Sequence, residues 1–187
     1  MRRQVSILVL SSNLWNLADG LLGPLFAVFA QRVGGNILDI TWAWGAYLII
    51  MGIGIIVVGH VSDRVSKLKL LFTGYILTTA CTFSYLLVHS AAGLFIVQAG
   101  LGIATALSNP THYALLAQYS KSAERDGALW GWADGRDKIA TGLAIFAGGF
   151  IVSAWSFDAL FIIMGTISLC ATLYLSRLLY REREESN

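Results

Sequence analysis

Residues 59–69, Gly-His-Val-Ser-Asp-Arg-Val-Ser-Lys-Leu-Lys, form a short polar and basic tract held between two long apolar runs. Either run is long enough to cross a hydrocarbon core of roughly 30 Å, which takes about 18 or more apolar residues. Further runs of that length follow and precede them. Backbone polar groups find no water in such a core, so each run must be a helix unless the segments close into a barrel. No alternating ten-residue pattern supports a barrel. The expected fold class is therefore all-α and integral to the membrane. Composition agrees: 56% of the 187 residues are apolar before the 19 glycines are added, and 13% are charged. Soluble domains hold roughly 45–50% apolar residues with glycine included and about 25% charged ones. Only two prolines occur, which predicts long, unbroken helices.

Six spans are expected in a single transmembrane domain over residues 1–187, at about 5–30, 42–60, 68–88, 92–118, 128–153 and 157–178. Arg2 and Arg3 precede the first run, but that run is too long for a secretory signal and is interrupted by Asn13, Asn16 and Asp19, so a retained first helix is expected. Lys and Arg set direction. Twelve of the 13 lie at the N-terminus, after span two, around the start of span five or in the tail; only Arg32 lies on the other side. Both termini are thus expected in the cytoplasm, in the plasma (inner) membrane of the cell. The formal net charge of +2 reflects topology and gives no reason to expect nucleic acid. Trp42, Trp44 and Trp155 are expected at the outer interface and Trp130 and Trp132 at the inner one. The tail 181–185 reads as a solvated helix end. Cys81 and Cys170 lie mid-run, as small buried residues do, and no disulfide, metal or cofactor pattern accompanies them. Spans three and six, at 70–88 and 159–175, carry no ionisable side chain and are expected to face lipid all round.

Two spans carry polar stripes. At 100° per residue, Gln98, Gly102, Thr105, Asn109 and His112 fall within about 40° of one line on span four. Pro110 withholds a donor from the carbonyl of Ala106 and should loosen that helix. Asn13, Asn16, Asp19, Gly20 and Gly23 share an arc of roughly 140° on span one. A carboxylate at mid-membrane, where Asp19 falls, costs roughly 2.5–3.5 kcal/mol on an insertion scale, so such groups face a cavity or a partner. One reading makes Asn13, Asn16, Asp19, Gln98, Thr105, Asn109 and His112 the wall of a solute-binding cavity. Asp19 is then the proton-coupling candidate, buried, and His112 a second titratable group. The other reading makes the amides interhelical glue. Span five opens with Asp134, Arg136, Asp137 and Lys138. Asp134 and Lys138 stand at i,i+4 and can pair, as a cytoplasmic gate or as an exposed cluster at headgroup level.

The spacing Gly59-x-x-x-Asp63-Arg64-x-x-Lys67-x-Lys69, between spans two and three, resembles the cytoplasmic loop signature of the major facilitator superfamily of solute transporters. The resemblance covers nearly the whole chain. It implies a six-helix bundle like one half of that fold, with Gly59 allowing close helix approach and Asp63 and Arg64 latching the cytoplasmic side. Ser66 replaces the family's second motif glycine, and Lys67 and Lys69 take the place of the trailing basic pair. Gln98-x-x-x-Gly102 is similar to the family's Arg-x-x-x-Gly motif with its arginine replaced. Gly148-Gly149 matches the end of an antiporter motif whose leading Gly-Pro is here Ala144-Ile145.

Members of the family have twelve helices in two halves, whereas this chain holds one half and starts with its own methionine and basic N-terminus. Two copies with six spans insert the same way up. The expected assembly is a parallel homodimer with the cavity on its two-fold axis, span two of one copy packing on span five of the other. Gly45, Gly52 and Gly59 on span two, and Gly142, Gly148 and Gly149 on span five, would permit that approach. Asp63 or Arg64 could then reach the partner's span-five cluster. The function implied is secondary active transport of a small polar solute by alternating access, with symport as one mode. One half of a split heteromeric transporter and a non-transporting membrane scaffold are the alternatives. With no Gly-x-Ser nucleophile and no paired metal ligands, an enzyme is not expected.

Overall fold

The computed structural model describes residues 2–62, 64–119 and 126–186, with side chains omitted at 2–3, 61, 126–130, 132–134 and 181–186. Seven α-helices carry the described residues: α1 (Arg2–Leu22), α2 (Leu25–Arg32), α3 (Ile37–Val61), α4 (Lys67–Ser84), α5 (Ala91–Tyr119), α6 (Asp126–Ala154) and α7 (Phe157–Ser186), with a 3₁₀ turn at Tyr85–Leu87. Six membrane-length apolar segments lie on them: Gln4–Leu22, Ile37–His60, Lys67–Leu87, Ala91–Tyr119, Gly135–Ala154 and Phe157–Tyr180.

The two prolines behave differently. Pro24 breaks the expected first helix: it caps α2, and Gly23 before it takes φ +30°. The residue before proline is pushed out of the helical region, and glycine enters the left-handed one at little cost. Pro110 sits inside α5, which continues through it. Hydroxyls flank it: Ser108 donates to the carbonyl of Ala104 at 2.9 Å, and Thr111 to that of Ser108 at 3.0 Å. Neighbouring helices and such side chains keep a proline-containing membrane helix intact.

Packing has an internal symmetry. Exchanging α1, α3 and α4 for α5, α6 and α7 turns the α3–α5 contact into α6–α1, α4–α5 into α7–α1, and α4–α7 into itself. Three crossings separate the equivalent helices, so the two triplets run in opposite directions, an inverted repeat of the kind found in transporters. Glycine permits the closest of these approaches. A Cβ on Gly102 would stand 2.8 Å from the carbonyl oxygen of Tyr47, and one on Gly148 would run into that of Leu21. The central pair α1 and α5 touch only lightly.

Two cores result. One gathers Phe29, Tyr85, Leu94, Phe157, Leu160 and Phe161 at the α2 end; the other gathers Leu8, Leu68, Leu71, Leu115, Leu175 and Leu178 at the N-terminal end.

Burial overturns the expected role of spans three and six. The apolar stretches of α4 and α7 are 44% buried, as are those of α1 and α5, whereas α3 is 6% buried and α6 11%. Threonines drive the difference: Thr79 and Thr172 meet at 3.1 Å between α4 and α7, and Thr172 also donates to the carbonyl of Tyr75 at 3.4 Å. Hydroxyls of this kind join membrane helices. Cys170 is exposed and Cys81 half-buried, so neither is the fully buried residue expected. Trp42, Trp44 and Trp155 are exposed, in keeping with an interface position, and Trp44 also packs its ring 5.6 Å from Phe26 and 5.4 Å from Tyr47. The side chains of Trp130, Trp132 and the tail 181–185 lie outside the described residues.

Candidate functional site

Two cavities open along the loosely packed seam between α1 and α5. The one nearer the α2 end, of about 80 Å³, is lined in part by Asp19, Gln98 and Thr105. The one nearer the N-terminus, of about 100 Å³, is lined in part by Asn16, Asn109 and His112. The predicted stripe is thus divided between two chambers. Trp15 lines both and forms the wall between them. Its ring stacks on Tyr75, with centroids 6.3 Å apart and planes inclined by 23°.

In the upper chamber the hydroxyl of Tyr85 donates to Gln98 Oε1 at 3.3 Å, and that of Tyr47 reaches Thr105 Oγ1 at 3.5 Å. Gln98 and Thr105 are buried by these contacts. Asp19, expected to be buried, is instead exposed on the surface of the bundle. The cause is geometric: α1 and α5 touch only lightly, and Asp19 opens into the chamber left between them.

In the lower chamber α6 joins α1. Arg136 Nη2 donates to Asn13 Oδ1 at 3.0 Å, and Asn16 Nδ2 donates to Asp137 Oδ2 at 3.3 Å. Asn13 lines neither cavity; its position on α1 turns its amide to Arg136. Asp137, expected at a gate between halves, is bonded within its own chain to Asn16. The half-buried His112 packs edge-on to Tyr113, and its Nδ1, like Trp15 Nε1, is buried without a hydrogen-bond partner. Two unsatisfied ring nitrogens on one polar chamber of this size are suited to ordered water or a bound polar group.

The loop residues stand apart from both chambers. Ser66 caps α4, accepting from the backbone N–H of Lys69 at 3.4 Å. Gly59, Arg64 and Lys69 are exposed and Lys67 is half-buried. Asp63 lies outside the described residues, as do the side chain of Asp134 and hence its pairing with Lys138, which is exposed. Among the described residues no group of three His, Cys, Asp or Glu side chains could hold a metal.

Sequence reasoning missed Trp15, Trp44, Tyr47, Tyr85 and Arg136 as wall residues. Trp15 was findable, since it stands four residues before Asp19 and shares its face. Arg136 was read as a topology signal and as part of the span-five charge cluster, not as a wall residue. Tyr47 lies in a helix that is apolar on every side, so no periodic pattern marks it.

Comparison with known proteins fits this arrangement. The chain is 22% identical over 173 residues to an uncharacterised MFS-type transporter, MJ1560, of Methanocaldococcus jannaschii, covering 92% of this chain and 45% of that one. It is 22% identical over 172 residues to the multidrug resistance protein MdtG of Citrobacter koseri, covering 90% and 42%, and 22% identical over 186 residues to MdtG of Escherichia fergusonii, covering 97% and 45%. The chain therefore spans a little under half the length of the curated relatives it matches. A sequence model of the Major Facilitator Superfamily matches residues 8–187. With six membrane-length helices and a polar seam, this multi-pass integral membrane protein belongs to the Major Facilitator Superfamily.

Proposed function

We propose that the protein is a six-helix transport unit that moves a small polar solute across the cytoplasmic membrane by alternating access, paired with a second bundle of the same orientation. The observation that carries this reading is Asp19: a carboxylate in the last turn of the membrane-length run Gln4–Leu22, exposed where it lines the upper chamber. Facing lipid it would carry a cost that reaches about 2.5–3.5 kcal/mol at a helix centre by insertion scales. Facing a water-filled cavity between two bundles it does not. The relatives named multidrug resistance proteins support export of small organic molecules as one form of the activity.

A second copy of this chain is the proposed partner. Gly45, Gly52 and Gly59 on α3, and Gly142 and Gly149 on α6, have open space where a side chain would stand. Gly148 does not; it is occupied by α1 of the same chain. Two copies would bring α3 of one against α6 of the other, with the α1–α5 seams facing each other across the axis. The distribution of Lys and Arg supports cytoplasmic termini in both. Asp19 is the proposed proton carrier, since a carboxylate moved between wet and dry surroundings gains and loses a proton readily.

Liposomes containing only this chain test the reading. A solute gradient should collapse faster than in empty vesicles, and an imposed proton gradient should drive uptake that Asp19→Asn abolishes. Single cysteines at Gly45 and Gly142, in a chain lacking Cys81 and Cys170, should crosslink between copies. Flux without such crosslinks would favour a different partner arrangement, and crosslinks without flux a scaffold.

A further inference from the structure

Resting on the transporter reading, we propose that the upper chamber is a site for the cationic centre of a small organic amine or quaternary ammonium compound. Asp19 supplies its counter-charge, and the rings of Trp15, Trp44 and Tyr47 supply its walls. Asp19 is the sole Asp, Glu, Lys, Arg or His among the residues lining this chamber. Five of the fifteen lining residues are aromatic, the others being Phe26 and Tyr85. Phe26, Trp44 and Tyr47 form a continuous run of rings, with centroids 5.6 Å and 5.4 Å apart. Trp44 is 48% exposed and Asp19 is exposed too, so indole and carboxylate stand open at the same chamber.

The alternatives fit less well. An anion would meet the charge of Asp19 with no basic side chain on the wall to offset it. A polyol needs many free donors and acceptors, yet the hydroxyls of Tyr47 and Tyr85 are directed to Thr105 and Gln98 on α5, and the buried unpartnered groups on this wall are two, Trp15 Nε1 and Thr78 Oγ1. Tyr85 is buried with its ring stacked on Phe161, so the tyrosine ring left to a solute is that of Tyr47. The faces of Trp and Tyr carry negative potential and attract cations, and cages of such rings recognise quaternary ammonium groups. A carboxylate within reach adds a Coulomb attraction strengthened by the low dielectric of the bundle. The cavity, about 80 Å³ in the single bundle, suits the head of a compact cation better than a large fused-ring one. A second copy across the axis repeats the same chemistry and adds no opposing charge from this chamber.

The test uses the full chain in nanodiscs, with choline as probe and 3,3-dimethyl-1-butanol, its uncharged carbon isostere, as control. Binding is followed by quenching of tryptophan fluorescence and by equilibrium dialysis of labelled choline. Choline is expected to bind saturably and the isostere at least tenfold more weakly. Asp19→Asn should weaken choline binding tenfold or more, Asp19→Glu should restore most of it, and Trp44→Leu should weaken it severalfold. Tyr47→Phe, which keeps the ring and loses only the hydroxyl, should leave it within about twofold. Equal binding of the isostere, or unchanged choline binding in Asp19→Asn, overturns the proposal. If choline does not bind while an anionic or neutral solute is taken up by liposomes of this chain, the cation assignment falls and the transporter reading stands. If choline does not bind and no solute of any charge moves, both fall.

Discussion

The α4–α7 pair and the α3 and α6 faces are built from similarly apolar sequence and meet opposite fates. The stretches of α4 and α7 are each 44% buried; those of α3 and α6 are 6% and 11% buried. Hydrophobicity cannot tell them apart, because lipid is as apolar as leucine and gives no drive to bury one rather than the other. Small and hydroxylated residues separate them. Between α4 and α7, Thr79, Ser168 and Thr172 form a bonded seam. On α6 the outward residues are Ile139, Leu143, Phe146 and Phe150, spaced as one helical face. Hydrogen bonds thus mark the packed side of α4 and α7, while the open sides of α3 and α6 set bulky residues beside bare glycines, Gly45, Gly52, Gly59, Gly142 and Gly149, on which nothing in this chain packs.

The largest effect that sharpens this contrast is expected at Gly148, whose α carbon is pressed against the carbonyl of Leu21. Gly148→Leu must push α6 off α1, and overpacking of this kind costs about 1–3 kcal/mol, occasionally more. Gly142→Leu, on the same helix but with open space around it, should leave the unfolding of the single chain nearly unchanged. Thermal unfolding in detergent compares the two. Equal destabilisation would mean that α6 is not divided into a packed and an open side.

Much of the fold could be read from sequence, and for a physical reason. Backbone polar groups in lipid force helices, and the lengths of the apolar runs then place them: α4, α5 and α7 begin within one residue of the expected spans, whereas α3 begins five residues early, at the capping box that Asn36 and Asp39 form. Pro24 was visible too, but its effect depended on Gly23 beside it, and Pro110 shows that proline alone does not end a membrane helix. Sidedness was not legible. Thr78, Thr79 and Thr172 weigh little in a window average, yet they are buried on the inward faces of α4 and α7, where Thr79 and Thr172 bond to each other. For the site, charges and amides pointed to α1 and α5, and the two chambers lie along the seam between those helices. The aromatic wall stayed hidden, because Trp44 and Tyr47 are as common at a membrane interface as in a pocket, and only the fold brings them to Asp19.

A middle-sized effect is expected at the threonine seam. Thr79→Val and Thr172→Val each remove one partner of the 3.1 Å hydroxyl pair. Interhelical hydrogen bonds in membrane bundles average about 0.6 kcal/mol and reach about 1.7. Each single change should cost an amount in that range. The double variant should cost less than the sum, because the second substitution removes a bond already lost. Strict additivity would mean that the threonines contribute shape alone, and the contrast between α4–α7 and α3 would then rest on packing volume instead of hydrogen bonding.

The smallest effect on the chain itself is expected at Ile53, which is 60% exposed on α3. In an isolated bundle Ile53→Ala deletes a side chain that touches lipid or detergent, and the stability change should stay within about 0.5 kcal/mol. Leu71→Ala, at a fully buried position of α4, sets the opposite scale of about 2–5 kcal/mol for an emptied core site. The informative variable is protein concentration. A partner that covers α3 stabilises the folded state by mass action, so its contribution grows as the protein is concentrated. If a second copy packs on this face, the cost of Ile53→Ala should be small in dilute detergent and rise in concentrated samples, while that of Leu71→Ala stays constant. If both costs ignore concentration, α3 meets lipid throughout, and the exposed carboxylate of Asp19 needs a different cover.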